Sequence, residues 1–161
     1  LYFKIMKKIF LLFLFLICAI PSSFAQLKTY SFEQAELLSQ EEPKPIVVFI
    51  HTSWCKFCHM MHNSTFKNEA LVTLLNNNFY FVSFDAETKD TIKFNNYTFR
   101  FKPTGQNIGV HELATALATI NSQVSYPTVT VLASDNSILF QKHSFQNAKE
   151  LLSILEKIKQ L

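Results

Sequence analysis

The apolar pattern in the first half of the chain predicts two buried strands with helices before and between them. Residues 46–50 and 79–84 are nearly continuous runs of β-branched and aromatic residues, typical of strands covered by helices on both faces of a sheet. Residues 55–77 have helical spacing, with a break near residues 67–68. Residues 31–38 predict a short helix, because they begin with a serine followed three residues later by a glutamine, as in a capping box.

The middle of the chain has a less regular pattern. Alternation within residues 91–101 predicts a hairpin, and we expect the chain's two glycines, Gly105 and Gly109, to lie in a loop after it. Residues 111–120 predict a further helix. The whole stretch of residues 86–110 is long for a connection between two elements.

The last third of the chain predicts a hairpin and a final helix. Residues 126–132 form a strand pattern that begins at a proline, and residues 137–141 form another after a turn at residues 135–136. Apolar residues in 148–158 have the i, i+3, i+4, i+7 spacing of one helix face. Together the elements predict an α/β fold, with a central mixed sheet of about four strands and helices on both faces.

The first residues predict export. Two lysines follow Met6, an apolar run covers residues 9–20, and small residues precede Ala25. These features predict a secretory signal peptide over residues 6–25, cleaved after Ala25, and one domain over residues 26–161. The apolar run is short for a membrane-spanning helix of about 20 residues, so we expect no stable membrane insertion after cleavage and a periplasmic or secreted protein. The alternative is an uncleaved anchor.

The positive charge of the chain belongs to this predicted segment. The chain has 15 Lys and Arg residues, of which three lie in residues 1–25, and 12 Asp and Glu residues. Net charge is therefore +3 for the whole chain and zero after cleavage. A neutral domain gives no reason to expect a nucleic-acid partner. Of three cysteines, Cys18 leaves with the signal peptide, while Cys55 and Cys58 remain.

The spacing of Cys55 and Cys58 indicates redox chemistry rather than a structural cross-link. A disulfide between residues three apart closes almost no loop, so it stabilises a fold very little. The predicted strand at residues 46–50 delivers Cys55 to a helix N-terminus, where the helix dipole and Lys56 favour a thiolate. We expect Cys55 to be the attacking thiol and Cys58 to resolve the mixed disulfide, with no cofactor.

The chain resembles the thioredoxin superfamily in the order of its elements and in two motifs. A strand leads into Trp-Cys-Lys-Phe-Cys at residues 54–58, and Tyr126-Pro127 precedes a hairpin. The resemblance implies a thioredoxin-like fold, with a cis bond before Pro127 that lies against the disulfide. It also implies that Trp54 packs beside the motif, and that Tyr126 or Thr128 touches the substrate.

A narrower likeness is to thioredoxin-like proteins with a Cys-x-x-Cys-His-x-Met motif, a following Ser/Thr-Phe pair and Asn, a Leu-Leu-Asn helix end and a Phe-rich strand closing at Asp. In this chain these features are residues 55–61, 65–66, 68, 74–76 and 79–85. The resemblance as a whole covers residues 27–160, which is nearly all of the predicted domain.

Two positions depart from the thioredoxin pattern. Thioredoxins carry a buried acid six residues before the first cysteine, where this chain has Phe49. The residues between the cysteines are Lys-Phe, without the histidine of strong bacterial oxidants. His51 and His59 are candidates for proton transfer with Cys58. The alternative for each is a histidine that is merely packed or solvated.

Three other functions fit parts of the same sequence. Cys55 to His59 is a Cys-x-x-Cys-His string, as in c-type haem attachment, but Met60 and Met61 are too close to His59 to be a second axial ligand. A copper or zinc carrier could use Cys55, Cys58, His59, Met60, Met61 and His62, with His51 from another segment. A partner-binding module could use the aromatic segment at residues 87–110.

The pattern as a whole favours an exported thiol–disulfide oxidoreductase acting on protein disulfides. We expect reduction or isomerisation rather than oxidation, because no histidine lies between Cys55 and Cys58. A reductase outside the cytosol must be recharged, so its expected partners are protein thiol and disulfide substrates and a membrane electron donor. The predicted site contains no metal.

Overall fold

The computed structural model describes residues 2–3, 5–8, 26–106 and 108–160. Most of the predicted signal peptide at residues 6–25, with Cys18, lies outside these described residues. Within the described ranges, no helix has the length and apolar content needed to cross a membrane.

The first half of the domain contains the motif and the elements that hold it. Its elements are α1 (Phe32–Glu41), β1 (Ile46–His51), α2 (Lys56–Asn63), a short 3-10 helix (Thr65–Lys67), α3 (Glu69–Asn78) and β2 (Tyr80–Asp85). Helix α1 begins at the predicted capping box, in which Gln34 N–H donates to Ser31 Oγ and Ser31 N–H donates to Gln34 Oε1. The predicted helix break near residues 67–68 is confirmed.

The second half adds hairpins, a helix and the remaining sheet strands. Its elements are β3 (Ile92–Phe94), β4 (Tyr97–Phe99), β5 (Phe101–Gly105), β6 (Ile108–His111), α4 (Glu112–Ala118), β7 (Thr119–Ile120), β8 (Gln123–Val124), β9 (Thr128–Leu132), β10 (Ile138–His143) and α5 (Ala148–Ile158). The two last strands and the last helix confirm the predicted C-terminal pattern.

The central sheet has four strands in the order β10-β9-β1-β2. Strand β1 is parallel to β2 and antiparallel to β9, and β9 is antiparallel to β10. Alternate residues of β1 belong to two apolar clusters, one on each face of the sheet. Val47 and Phe49 lie on the face covered by α2, α3 and α5. Ile46, Val48 and Ile50 lie on the face covered by α1 and α4. The predicted mixed sheet with helices on both faces is therefore confirmed.

Two local predictions for the middle of the chain are corrected, and one is confirmed. Gly105 and Gly109 do not lie in a loop, because they belong to the paired strands β5 and β6. The predicted hairpin at residues 91–101 is confirmed, with β3 paired to β4 and a turn at Asn95 and Asn96, whose φ angles are 51° and 58°. The predicted helix at 111–120 ends at Ala118, and Thr119 starts the short strand β7.

Candidate functional site

Cys55 and Cys58 form a disulfide at the N-terminus of α2, with their Cα atoms 5.2 Å apart. Cys55 is the N-cap residue of the helix, and the Cys58 N–H donates to Cys55 Sγ at 3.1 Å. Strand β1 ends at His51, and a turn closed by Cys55 N–H donating to the Thr52 carbonyl leads into the helix. The fold therefore places Cys55 where helix N–H groups and the helix dipole favour a sulfur anion.

Three exposed apolar side chains lie within two positions of a cysteine of the pair in the sequence. Trp54, Phe57 and Met60 are 67%, 56% and 45% exposed, whereas Cys55 and Cys58 are 5% and 3% exposed. We call these three exposed side chains the apolar rim. Exposed large apolar groups around a buried reactive pair are suited to contact with another protein.

Trp54 and Tyr126 meet edge to face, with ring centroids 6.1 Å apart. The Trp54 indole N–H also donates to Glu87 Oε1 at 3.0 Å. The Tyr126–Pro127 peptide bond is cis, as the resemblance implied. Thr128 is fully buried, and its hydroxyl donates to the Ser125 carbonyl. The structure thus brings Trp54 and Tyr126 together, while the Thr128 side chain points into the protein.

Tyr126 is partly buried beside two acidic side chains. Its hydroxyl is buried and has no hydrogen-bond partner among the residues that the structure describes. Burial raises the pKa of Tyr126 to about 12, and the negative charges of Glu87 and Asp85 add to the effect. The Tyr126 phenol is therefore neutral at physiological pH.

His51 and His59 line a cavity of about 280 Å³ together with Cys58. The Nε2 atom of His51 lies 3.0 Å from Ser83 Oγ, and the ring stacks on Phe49 with centroids 5.3 Å apart. The Nε2 atom of His59 lies 2.7 Å from the Ser53 carbonyl oxygen, so His59 Nε2–H is the donor in that bond. Both histidines therefore reach the cavity that Cys58 faces.

The electrostatics of His51 depend on the groups around this cavity. Burial lowers the pKa of His51, the Asp85 carboxylate partly offsets this effect, and the charges of His62 and His59 lower the pKa further. His51 is opposite Asp85 in the register of β1 and β2. Because the net effect lowers the pKa of His51, its imidazole is neutral at physiological pH.

The ligands suggested for a metal carrier do not converge. In the part of the chain that the structure describes, no three or more His, Cys, Asp or Glu side chains are arranged to hold a metal ion. Met61 is fully buried whereas Met60 is exposed, so these neighbours point in different directions. With Cys55 and Cys58 joined in a disulfide, neither provides a thiolate ligand in this oxidised form.

Sequence reasoning missed Glu87 and Asp85 as residues of the site. Asp85 ends β2, and Glu87 N–H donates to Asp85 Oδ1 at 3.0 Å. Strands β1 and β2 are parallel, so their carboxyl ends meet at the edge of the sheet where the motif begins. The signal available in the sequence was the position of both acids directly after the second predicted strand.

This fold and this cysteine pair define a protein of the thioredoxin superfamily. The Thioredox_DsbH family model, whose description is a protein of unknown function (DUF255), matches residues 21–161. The chain therefore belongs to the Thioredox_DsbH family.

Two solved structures share the fold at low sequence identity. A DsbH oxidoreductase superposes with a TM-score of 0.61 and 19% identity, over 88% of this chain and 90% of that chain. A thioredoxin from Thermus thermophilus superposes with a TM-score of 0.60 and 20% identity, over 83% of this chain and 88% of that chain. These likenesses establish the architecture.

A curated relative is similar over a shorter stretch. Spermatogenesis-associated protein 20 of Mus musculus is 39% identical over 54 residues, which are 34% of this chain and 7% of that protein. The chain thus corresponds to a small part of the length of the curated relatives that it matches.

Proposed function

We propose that this protein is an exported thiol–disulfide oxidoreductase that reduces or isomerises disulfides of other proteins. The observation that carries the proposal is the Cys55–Cys58 disulfide at the N-terminus of α2. The apolar rim beside this pair supports a protein substrate, and the names of the DsbH oxidoreductase and the thioredoxin with the same fold agree with this chemistry.

The reaction consists of two exchange steps. The Cys55 thiolate attacks one sulfur of a substrate disulfide, forms a Cys55–substrate disulfide and releases the other substrate sulfur as a thiolate. Cys58 then attacks Cys55 Sγ, which closes the Cys55–Cys58 disulfide and releases the second substrate thiolate. The substrate gains two electrons and the protein dithiol loses two. In isomerisation, the first released thiolate attacks another disulfide of the substrate, and the different substrate thiolate set free there displaces Cys55 from the mixed disulfide, so that no net electrons are transferred.

Substrate contacts would involve the residues around the disulfide. Trp54 and Tyr126 provide aromatic surface beside it, and Pro127 lies directly before β9, which pairs with β1. Thr128 would contribute through its backbone, because its side chain is buried. Repeated reduction outside the cytosol needs a membrane electron donor that restores the dithiol.

The first experiment is a redox titration of purified protein against glutathione, with Cys55→Ser and Cys58→Ser as controls. We expect a reversible two-electron couple between roughly −120 and −270 mV. Cys58→Ser is expected to accumulate a mixed disulfide, and Cys55→Ser is expected to form none at this site. A pair that never cycles contradicts the enzyme proposal, and a potential near roughly −120 mV contradicts the preference for reduction.

Export needs a separate test. The full chain from Met6 is expressed in a bacterium, and the periplasmic fraction is analysed by intact-mass spectrometry. A periplasmic species that begins at Gln26 supports the signal peptide. Retention of the whole chain in the cytoplasm contradicts export without bearing on the exchange chemistry.

A further inference from the structure

The second exchange step requires a base near Cys58. The Cys58 thiol must lose its proton before its sulfur can attack, and Cys58 is nearly inaccessible to bulk water. A base must therefore reach the cavity that Cys58 lines. The titratable groups lining that cavity are His51, His59, His62 and Asp85.

The histidines of α2 are less suited to this task than His51. His59 follows Cys58 directly, and adjacent residues on a helix do not face each other. Its Nε2–H is also engaged with the Ser53 carbonyl. His62 lies one turn beyond Cys58 on the same helix face, but its ring is exposed, and its Nδ1 lies near Asn63 Oδ1.

Asp85 is suited to a supporting task. A carboxylate is ordinarily a much weaker base than an imidazole, so it takes a thiol proton less readily. Its charge nevertheless favours the protonated form of His51. An imidazolium formed at His51 would therefore be stabilised by a neighbour on the adjacent strand.

His51 has a fixed ring with one nitrogen left to accept a proton. It lies two residues after Phe49 on β1, so both side chains are on the same face of the strand. Phe49 stacks on the imidazole and is itself packed against Phe66, with centroids 4.8 Å apart. When His51 Nε2–H donates to Ser83 Oγ, the lone pair of Nδ1 remains available as an acceptor.

We infer that His51 is the base that takes the proton of the Cys58 thiol, and that Phe49 and Ser83 are positioning residues for its ring. The inference rests on the proposed exchange function. The proton moves from Cys58 Sγ to His51 Nδ1, directly or across one water, as Cys58 attacks Cys55 Sγ. The leaving substrate thiolate, or solvent, then receives that proton. Thr52, whose hydroxyl is buried without a partner among the described residues, lines the same cavity and provides a further polar contact for such a water.

The lowered pKa of His51 is consistent with this assignment, because the ring is then neutral and able to accept a proton at pH 7. The groups that face it are Asp85 from β2 and His59 and His62 from α2. The rate of the second step should thus fall as pH falls and His51 becomes protonated.

The test measures each exchange step separately, in the full chain, with a disulfide-containing peptide as the probe. The second step is followed by rapid acid quench from pH 5 to 9 in the wild type and in His51→Gln, whose amide can keep the Ser83 contact. We expect His51→Gln to slow closure at least tenfold at pH 7, since general base catalysis contributes about 10²–10⁴-fold. We also expect loss of the low-pH inflection. His62→Gln is the matched control and should stay within about twofold of the wild type.

A second measurement excludes a merely structural effect. In the Cys58→Ser background, formation of the mixed disulfide at Cys55 should be unchanged by His51→Gln. Slowing of this first step to the same extent overturns the inference, as does normal closure with the wild-type pH profile in His51→Gln. The inference is also overturned if closure of the Cys55–Cys58 disulfide is lost in His59→Gln or His62→Gln but not in His51→Gln. In each of these outcomes, the proposed function still holds as long as the wild type exchanges disulfides with the peptide. That function is contradicted if the wild type shows no exchange.

Discussion

Trp54 Nε1–H donates a hydrogen bond to Glu87 Oε1 at 3.0 Å, which joins the residue before Cys55 to the segment that follows β2. The same indole contacts the Tyr126 ring from the segment before β9. One exposed side chain thus connects three segments of the protein beside the disulfide. The bond fixes the orientation of the most exposed member of the apolar rim.

Glu87→Ala is expected to release the Trp54 indole from this orientation. Trp54 is the only tryptophan of the chain, so its emission reports on this position without interference. We predict lower fluorescence anisotropy and stronger quenching by acrylamide in Glu87→Ala. The loss in the free energy of unfolding should be small, about 1 kcal/mol or less, because the bond is solvent-exposed.

Glu87→Gln is the matched control for this prediction. Its side-chain carbonyl can still accept the indole N–H, so its anisotropy and quenching should stay close to those of the wild type. Equal changes in both variants would show that the charge of Glu87, rather than the hydrogen bond, controls the indole.

Tyr126→Phe is expected to remove part of the decrease in the free energy of unfolding at alkaline pH. The folded-state pKa of about 12 lies above the ordinary value near 10, so the unfolded chain releases the Tyr126 proton first as pH rises. The free energy of unfolding should therefore decrease from about pH 10 upwards because of this group. Without the hydroxyl, this contribution disappears. At neutral pH we expect unchanged or slightly higher stability, because the lost hydroxyl was buried without a partner among the described residues.

Urea unfolding at pH 8 and pH 10.5 checks this prediction, with Tyr97→Phe as the control. Tyr97 is exposed on β4, so its replacement should leave the difference between the two pH values as in the wild type. If the free energy of unfolding of Tyr126→Phe differs between pH 8 and pH 10.5 as much as that of the wild type, other groups cause the loss of stability at alkaline pH.

The parts of the structure that could be predicted from sequence are those that depend on local pattern. Strand β1 is apolar from Ile46 to Ile50 and α5 has one apolar face, so each can be recognised without knowledge of its neighbours. Cys55 and Cys58 could be assigned together because they are three positions apart at a helix start. The capping box of Ser31 and Gln34 is local in the same way.

The parts that escaped prediction depend on contacts between distant segments. Glu87 joins the site through a residue 33 positions earlier in the chain, and no local pattern marks that pairing. The stacking of Phe49 on His51 could be expected from their shared strand face, but the Ser83 contact needs the register of β1 and β2. The sequence predicts a loop at Gly109, because the close approach of the neighbouring strand that requires a glycine there is visible only in the folded structure.

Ser31→Ala is expected to destabilise the protein by about 1 kcal/mol, since it removes the Ser31 Oγ that accepts the Gln34 N–H at the start of α1. Ser153→Ala is the matched control, because Ser153 is exposed inside α5 and alanine is the better helix former there. In urea unfolding, Ser31→Ala should therefore lower the free energy of unfolding, whereas Ser153→Ala should leave it unchanged or raise it slightly. Equal midpoints would show that the cap of α1 contributes nothing measurable.

Gly109→Ala is expected to disrupt the β5–β6 hairpin. A Cβ atom at residue 109 would overlap the Lys102 carbonyl, the Phe101 ring and the Pro103 backbone, and most of these atoms cannot move aside. We predict a loss of about 1–3 kcal/mol in the free energy of unfolding, as for other overpacked positions. Gly105→Ala is the control, because the contacts of a Cβ there with described residues are all to the exposed and flexible Ile108 side chain, so its effect should be below about 0.5 kcal/mol.

The Gly109 variant also tests whether the hairpin supports the site. At the end of β6, His111 N–H donates to the Ala86 carbonyl at 2.8 Å, next to Glu87. Disruption of the hairpin should therefore loosen the segment that holds the Trp54 indole, and acrylamide quenching of Trp54 should increase in Gly109→Ala but not in Gly105→Ala. If Gly109→Ala lowers stability while quenching stays at the wild-type level, the hairpin stabilises the domain without controlling the apolar rim.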